Sequence, residues 1–171
     1  MLVSKDFYNI FKKLQIHKND NIMLHCSLSK FGFLLNEAHD IIDPLMDLVG
    51  NNGTILCSSN TGNHTDPKYW LNPKIKDIKK ARKYLKPFDL KKSLPHNRGR
   101  ISNTFINYSG LHRSNHPLRS IMAIGKNAKF FTKNHKLHDP DGIDSPLYKL
   151  YKKKGLALLV GVDLSSCSAI H

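Results

Sequence analysis

Asn21-Ile22-Met23-Leu24-His25-Cys26-Ser27-Leu28-Ser29-Lys30-Phe31-Gly32 begins as an apolar run and then turns into hydroxyl side chains closed by a glycine. The apolar part has strand length, and the change at Cys26 marks its end. Helical periodicity flanks it on both sides. Upstream, Phe7, Ile10, Phe11 and Leu14 fall at helical spacing behind Ser4, which can cap the helix, and Lys18 to Asn21 forms a polar turn. Downstream, Gly32 breaks the chain and Asn36 can cap a helix carrying Ile41, Ile42, Leu45 and Leu48. Pro44 inside that pattern predicts a kink, or a restart with Asp43 as the cap. Gly50-Asn51-Asn52-Gly53 then turns into a second, β-branched strand, Thr54 to Ser58.

The pattern continues outward. Residues Asn60 to Ser93 lack clean periodicity, hold three prolines and contain the only tryptophan, so a long excursion is expected at about residues 60–95 of a single domain. Ile101 to Tyr108 reads as a helix, Arg119 to Ile124 as a third strand, and Lys126 to Thr132 as a helical turn or two. Pro146 to Lys152 reads as a helix capped by Ser145, with Leu147, Leu150 and Tyr151 facing inward. Leu156 to Val162 is expected to be the fourth and most buried strand. Helices between apolar strands predict an α/β fold: a mixed, mostly parallel sheet with helices on both faces.

Composition bounds the partners. At 171 residues, 40% hydrophobic and 23% charged, the chain can bury a real core. It shows no apolar run long enough to span a bilayer and no signal-peptide pattern, so a cytoplasmic location is expected. Cys26, Cys57 and Cys167 are odd in number and far apart, which argues against a disulfide framework. Twenty-seven Lys and Arg against 13 Asp and Glu give a net charge of +14. That balance favours an anionic partner such as nucleic acid, anionic lipid or a phosphate-bearing cofactor. Nine basic residues lie between Lys74 and Lys92 against Asp77 and Asp89 alone, a run that also reads as a plain solvated face.

Three short runs carry chemistry. The hydroxyl turn after His25 suits an oxygen-rich ligand such as a pantetheine arm or a pyrophosphate, and reads equally as a satisfied turn. Arg113-Ser114-Asn115-His116-Pro117 combines a guanidinium fork, a hydroxyl and an imidazole, and could grip a phosphate or be a surface loop. Cys167-Ser168-Ala169-Ile170-His171 puts a histidine just beyond a strand's carboxyl end, where open α/β sheets place catalytic groups; a plain terminal residue is the bland alternative.

Taken in order, these runs resemble the aminoglycoside 3-N-acetyltransferase family, antibiotic-resistance enzymes that move acetyl from acetyl-CoA to an amine of a sugar or aminocyclitol. The resemblance takes in Leu14-Gln15-Ile16 with Asp20, the His25–Gly32 run, Val49-Gly50 with Gly53-Thr54, Asp66-Pro67 with Trp70, and Pro87-Phe88-Asp89. It continues through Arg113-Ser114 with His116-Pro117, Ser145-Pro146-Leu147, Leu150, and Gly161-Val162 to His171. It implies that Ser27, Leu28 and Ser29 line the pantetheine and phosphate path with His25 in support. Arg113, Ser114, His116 and Ser145 would hold the cofactor end, and Asp66, Tyr69 and Trp70 would meet the acceptor. His171 would be the general base, and Ser168 the hydroxyl that stabilises the oxyanion. Transfer would be direct, with acetyl-CoA as co-substrate, no acyl-enzyme and no metal.

Departures qualify this. Cys26 replaces a usual serine, and Asn103 and Asn107 stand where Glu and Arg are common. Members are about half as long again, so the last third of the fold, with the glutamate that orients the catalytic histidine, is expected to be missing. The basic charge points to an acceptor other than a polycationic aminoglycoside, such as an amino sugar of a glycan. A truncated, inactive family member is the alternative, and a basic nucleic-acid-binding protein a further one. That last reading rests on charge alone, without RNP-like or helix-turn-helix patterning. Metal catalysis has only His112, His116, His135, His138, Asp139 and Asp141 to draw on, broken by Pro117 and an Asp-Pro-Asp-Gly turn.

Overall fold

A computed structural model describes residues 1–70, 75–97 and 99–167. In chain order the elements are α1 (Ser4–Lys13), β1 (Asn21–Cys26), α2 (His39–Val49), β2 (Thr54–Ser58), α3 (Ile78–Tyr84), α4 (Gly99–Phe105), β3 (His112–Arg113), β4 (Ile121–Gly125), α5 (Ala128–Thr132), α6 (Pro146–Lys152) and β5 (Leu156–Val160). The strands form one five-stranded sheet in the order β3-β4-β2-β1-β5. β1 lies parallel to both β2 and β5, with Leu24 opposite Cys57 and His25 opposite Leu159. β4 runs antiparallel to β2 and to β3, so it alone opposes the common direction. The sheet is therefore mixed, with four of its five strands pointing one way.

Period-two alternation divides the core between the two faces. Ile22, Leu24, Ile55, Met122, Ile124, Leu158 and Val160 pack with Phe7 and Phe11 of α1, Ile41, Ile42 and Leu45 of α2, and Phe105 of α4. On the other face Met23, Leu56, Ile121 and Ala123 pack with Ala128 and Phe131 of α5 and Leu150 of α6. Each fully buried Leu, Ile or Phe contributes about 1.5–3 kcal/mol. The route to β2 thus passes α2 on one face, and the route to β5 passes α6 on the other. The two neighbours of β1 are reached from opposite sides, which opens a crevice at its carboxyl end.

Several local expectations change. The fourth strand ends at Val160 rather than Val162, and it is an edge, paired only with β1 among the described residues. Only Leu158 and Val160 of β5 are buried, and Leu156 is 42% exposed. The reason is that α6 sets Leu150 over β1 and β2, leaving β5 half covered. On the same short helix Tyr151 points outward, being 75% exposed. Pro44 lies within α2 without restarting it, its ring buried in the core.

Ser4 is the first residue of α1 rather than its cap. Asp6 caps by accepting from the Val3 N–H at 3.0 Å, while the Ser4 hydroxyl donates across to Asp40 at 2.6 Å. Asp40 is fully buried and also accepts from the Ser4 N–H (3.2 Å), the Asn36 N–H (2.9 Å) and the Asn36 side-chain amide (3.0 Å). Burial would raise its pKa, but these four donors outweigh it and hold the carboxyl below its ordinary value. This one carboxylate clasps the start of α1 to the start of α2. Asp40→Ala is expected to cost roughly 3 kcal/mol, because it strands several buried donors. The stabilisation from a depressed carboxyl is complete above the ordinary aspartate pKa and lost as pH falls through the folded value. Thermal melts of Asp40→Asn against the parent should therefore show a shallower loss of stability on acidification.

Candidate active site

The crevice at the carboxyl end of β1 is a cleft of about 530 Å³. Its first wall is the hydroxyl turn. The Ser27 N–H donates to Val160 O at 3.0 Å, tying the turn to the end of β5. A 3-10 turn then runs from Leu28 to Lys30, and the Phe31 ring packs edge-on against Phe7 at 5.4 Å. The Ser27 and Ser29 hydroxyls lie 3.0 Å apart, both at the cleft. Gly161 fits this junction only as glycine. Its φ is +67°, and a Cβ there would stand 2.8 Å from Ser27 O and from the Phe31 ring.

The second wall is α4, with Gly99, Arg100, Ile101 and Ser102, preceded by Asn97. The Ser102 hydroxyl donates to Ser58 O at 2.8 Å, which anchors α4 to the end of β2. Val162 and Ser166 close the third side. Sequence reasoning missed this α4 wall; its only signal was the Asn97-Arg98-Gly99-Arg100 run, a polar, glycine-bearing stretch leading into a helix.

Two groups on the floor have defined protonation. Burial, then the nearby Cys57, pushes the Cys26 thiol up to about 12, so it is not a thiolate at neutral pH. His25 is buried, and burial lowers its pKa. Two buried side-chain polar atoms lack a hydrogen-bond partner among the described residues: Asn63 Oδ1 on the excursion, and Nε2 of His25, a residue that lines the cleft. Burial disfavours the charged imidazole, and the unsatisfied ring nitrogen marks His25 as an exception among the buried polar groups.

The other expected site residues lie elsewhere. Arg113 is buried at the end of the sheet, where it donates to Ser59 O at 2.8 Å, to the Ser120 hydroxyl at 3.2 Å and to Ser93 O, and stacks on Phe88 at 5.2 Å. Burial lowers its pKa to about 10, with no carboxylate hydrogen-bonded to it among the described residues, which leaves it charged and holding the excursion to the sheet. The Ser114 hydroxyl accepts from the Ile121 N–H at 2.9 Å and donates to His135 Nδ1 at 2.8 Å. His116 Nδ1 accepts from the Leu118 and Arg119 N–H groups while its Nε2–H donates to Leu137 O, so it is neutral, and it stacks on His135 at 4.7 Å. Ser145 caps α6 by accepting from the Tyr148 N–H. None of these four lines the cleft.

Asp66, Tyr69 and Trp70 sit on the excursion. Asp66 takes both branches of the Arg82 guanidinium, at 3.0 and 2.7 Å, and the Lys68 N–H; Arg82 chiefly holds its carboxyl below the ordinary range. Tyr69 is exposed, and the Trp70 ring N–H donates to the Thr65 hydroxyl. Ser168 and His171 lie outside the described residues. Among the described residues no three His, Cys, Asp or Glu side chains gather as metal ligands, and no helix is long and apolar enough to cross a membrane.

Comparison with known proteins places this geometry. The sequence model for aminoglycoside 3-N-acetyltransferase matches residues 23–171, and the chain belongs to that family. It is 34% identical over 166 residues to the SPbeta prophage-derived aminoglycoside N(3')-acetyltransferase-like protein YokD of Bacillus subtilis, covering 94% of this chain and 60% of the relative. It is 31% identical to aminoglycoside N(3)-acetyltransferase VII of Streptomyces paromomycinus, covering 92% of this chain and 55% of that protein. The crystal structure of YokD superposes with a TM-score of 0.92 at 30% identity over 97% of this chain and 67% of that one. A structure of AAC-IIIb described as binary with CoASH gives 0.85 at 28% identity, over 99% of this chain and 63% of that one. The chain spans 55 to 60% of the length of these two curated relatives.

Two outcomes follow from the geometry. Gly161→Ala is expected to cost at least about 1 kcal/mol in thermal melts, through strain at positive φ and displacement of the Ser27 turn. His25, His116 and His135 are all held below the ordinary histidine pKa, with burial as the main cause. Depressed groups stabilise the fold fully above their unfolded pKa and lose that contribution as pH falls through the folded value. The melting temperature should therefore decline from about pH 7 towards pH 5, and NMR titration of the ring protons should place all three below about 6.5.

Proposed function

We propose that this chain forms the acyl-CoA-binding part of an N-acetyltransferase that acetylates an amine of an amino sugar or aminoglycoside with acetyl-CoA. The observation that carries the reading is the cleft at the carboxyl end of β1, in a chain of this family. The Ser27 and Ser29 hydroxyls and the open valence of His25 Nε2 suit the amides and hydroxyl of a pantetheine arm, and Leu28 supplies apolar contact. Acetyl-CoA supplies the acyl group as a thioester; the chain binds and orients it. Arg113, Ser114, His116 and Ser145 support this from behind, by fixing the excursion and α6. His171 as proton acceptor from the amine, and Ser168 as hydroxyl donor, complete the proposal by family resemblance. The raised Cys26 pKa agrees with direct transfer rather than a cysteine acyl-enzyme.

Charge shapes the acceptor. The excursion's acidic side chains are engaged internally: Asp66 by Arg82, Asp77 by the Lys80 N–H, and Asp89 by the Lys91 and Lys92 N–H groups. No carboxylate is found among the described cleft residues. An amino sugar with a single ammonium group is therefore favoured over a polycation.

Calorimetric titration with acetyl-CoA, with thermal melts in parallel, tests the proposal. Saturable binding displaced by CoA is expected, with stabilisation of about 2.7 kcal/mol at one hundred times Kd. Acceptor-dependent thiol release, higher in kcat/KM for a monoamine sugar than for a polycationic aminoglycoside, would extend it. A folded protein with no heat of binding and no thermal shift would sink the CoA reading.

A further inference from the structure

The excursion carries a surface that neither the core nor the cleft uses. By spacing and burial, α3 has two sides. Ile78, Ala81 and the capping residue Leu85 are half-buried at helical intervals, with Arg82 beside them bound to Asp66. The opposite side presents Lys79, Lys80, Lys83 and Tyr84, all exposed, with Lys83 Nζ 5.5 Å from the centre of the Tyr84 ring. Further on, Leu90, Lys91 and Lys92 form an exposed turn, and Leu94 is 65% exposed between two buried residues, Ser93 and Pro95. Helix and turn are moored to one short segment. Arg82 holds Asp66, while His64 Nδ1–H donates to Lys86 O at 3.0 Å and the His64 ring meets the Phe88 ring edge-on at 6.1 Å. No described ion pair includes Lys79, Lys80, Lys83, Lys91 or Lys92, and the neighbouring Asp77 and Asp89 are bonded to backbone N–H groups.

We propose that this surface docks the protein peripherally on an anionic lipid bilayer. Each lysine brought close to such a surface strengthens binding about fivefold. Lysines alone describe any solvated face; the apolar side chains set among them do not. Leu94 is turned outward although both its neighbours are buried, and Leu90 flanks the lysine pair. Both leucines are placed to enter the boundary between headgroups and acyl chains while the cations meet lipid phosphate. Tyr84 supplies the amphipathic ring that such an interface favours. Nucleic acid fits the same residues less well. The guanidinium of α3 is committed to Asp66, and aliphatic side chains give bases nothing to stack on. The excursion is rooted at the cleft, since Ser58 before it and Asn97 after it both line that space, but the inference stands whether or not the cleft takes acyl-CoA.

The test is cosedimentation of the full chain with vesicles of phosphatidylcholine alone and of phosphatidylcholine mixed with phosphatidylglycerol, beside retention on single-stranded DNA. The parent should sediment with the anionic vesicles only, and should be released as salt rises from about 0.1 to about 0.5 M. The double change Lys79→Glu and Lys83→Glu should weaken vesicle binding about tenfold or more. The double change Leu90→Ser and Leu94→Ser should weaken it about fivefold or more while leaving retention on DNA unaltered. All four side chains are exposed, so melting temperatures should match the parent's, which separates loss of docking from loss of fold. A parent that ignores anionic vesicles would overturn the inference. So would a leucine variant that binds vesicles like the parent, since charge alone would then explain the binding. DNA binding that anionic vesicles fail to compete would overturn it in favour of nucleic acid.

Discussion

The rest of the site hangs on one backbone hydrogen bond, from the Ser27 N–H to Val160 O, and on the glycine that lets the two strands approach there. Among the described strands β1 alone has parallel neighbours on both sides, and those neighbours are fed from opposite faces of the sheet. A crevice at its end follows from the connections alone. What turns the crevice into a shaped cleft is that the chain leaving β1 is pinned to the end of β5. Phe31 is wedged under it against Phe7, and α4 is pinned to the end of β2 through Ser102.

Polar groups sort sharply around this frame. Arg113, Ser114, His116, His135 and Asp40 all spend their hydrogen bonds inside the fold, and Asp66 spends its own on Arg82 and the backbone. At the cleft the turn's two hydroxyls bond each other, Nε2 of the lining residue His25 has no partner among the described residues, and Arg100 is paired only with the exposed Glu37. Buried polar atoms without partners are costly, which sets His25 apart from the satisfied groups around it. On the excursion the three carboxylates are hydrogen-bonded locally, Asp66 to Arg82 and Asp77 and Asp89 to backbone N–H groups, amid an excess of lysines.

Much of the frame was legible in the sequence. β1 and β2 carried apolar runs bounded by hard turn signals, and their limits agree with expectation to the residue. The strand at residues 121–125 and the helix after Ser145 were also readable, from apolar runs and a capping serine. β3 was not, because two residues carry no periodicity and its pairing depends on β4. β5 misled because an apolar run predicts burial only when something covers both faces, and coverage is a tertiary property. The Arg113 run shows the complementary limit. Sequence says which side chains could grip a phosphate, but whether a guanidinium faces a cleft or internal carbonyls depends on where a distant segment, here Ser93 and Phe88, comes to rest. Arg100 was passed over for the converse reason, having no motif around it beyond a glycine.

Amide hydrogen exchange of the chain with and without saturating acetyl-CoA tests the central claim most directly, since it reads position as well as occupancy. The account predicts slowed exchange confined to residues 25–34 and 99–102, on the two walls of the cleft, with the α3 surface unchanged. Ligand-dependent protection concentrated on the basic excursion instead, with residues 25–34 unaltered, would contradict it.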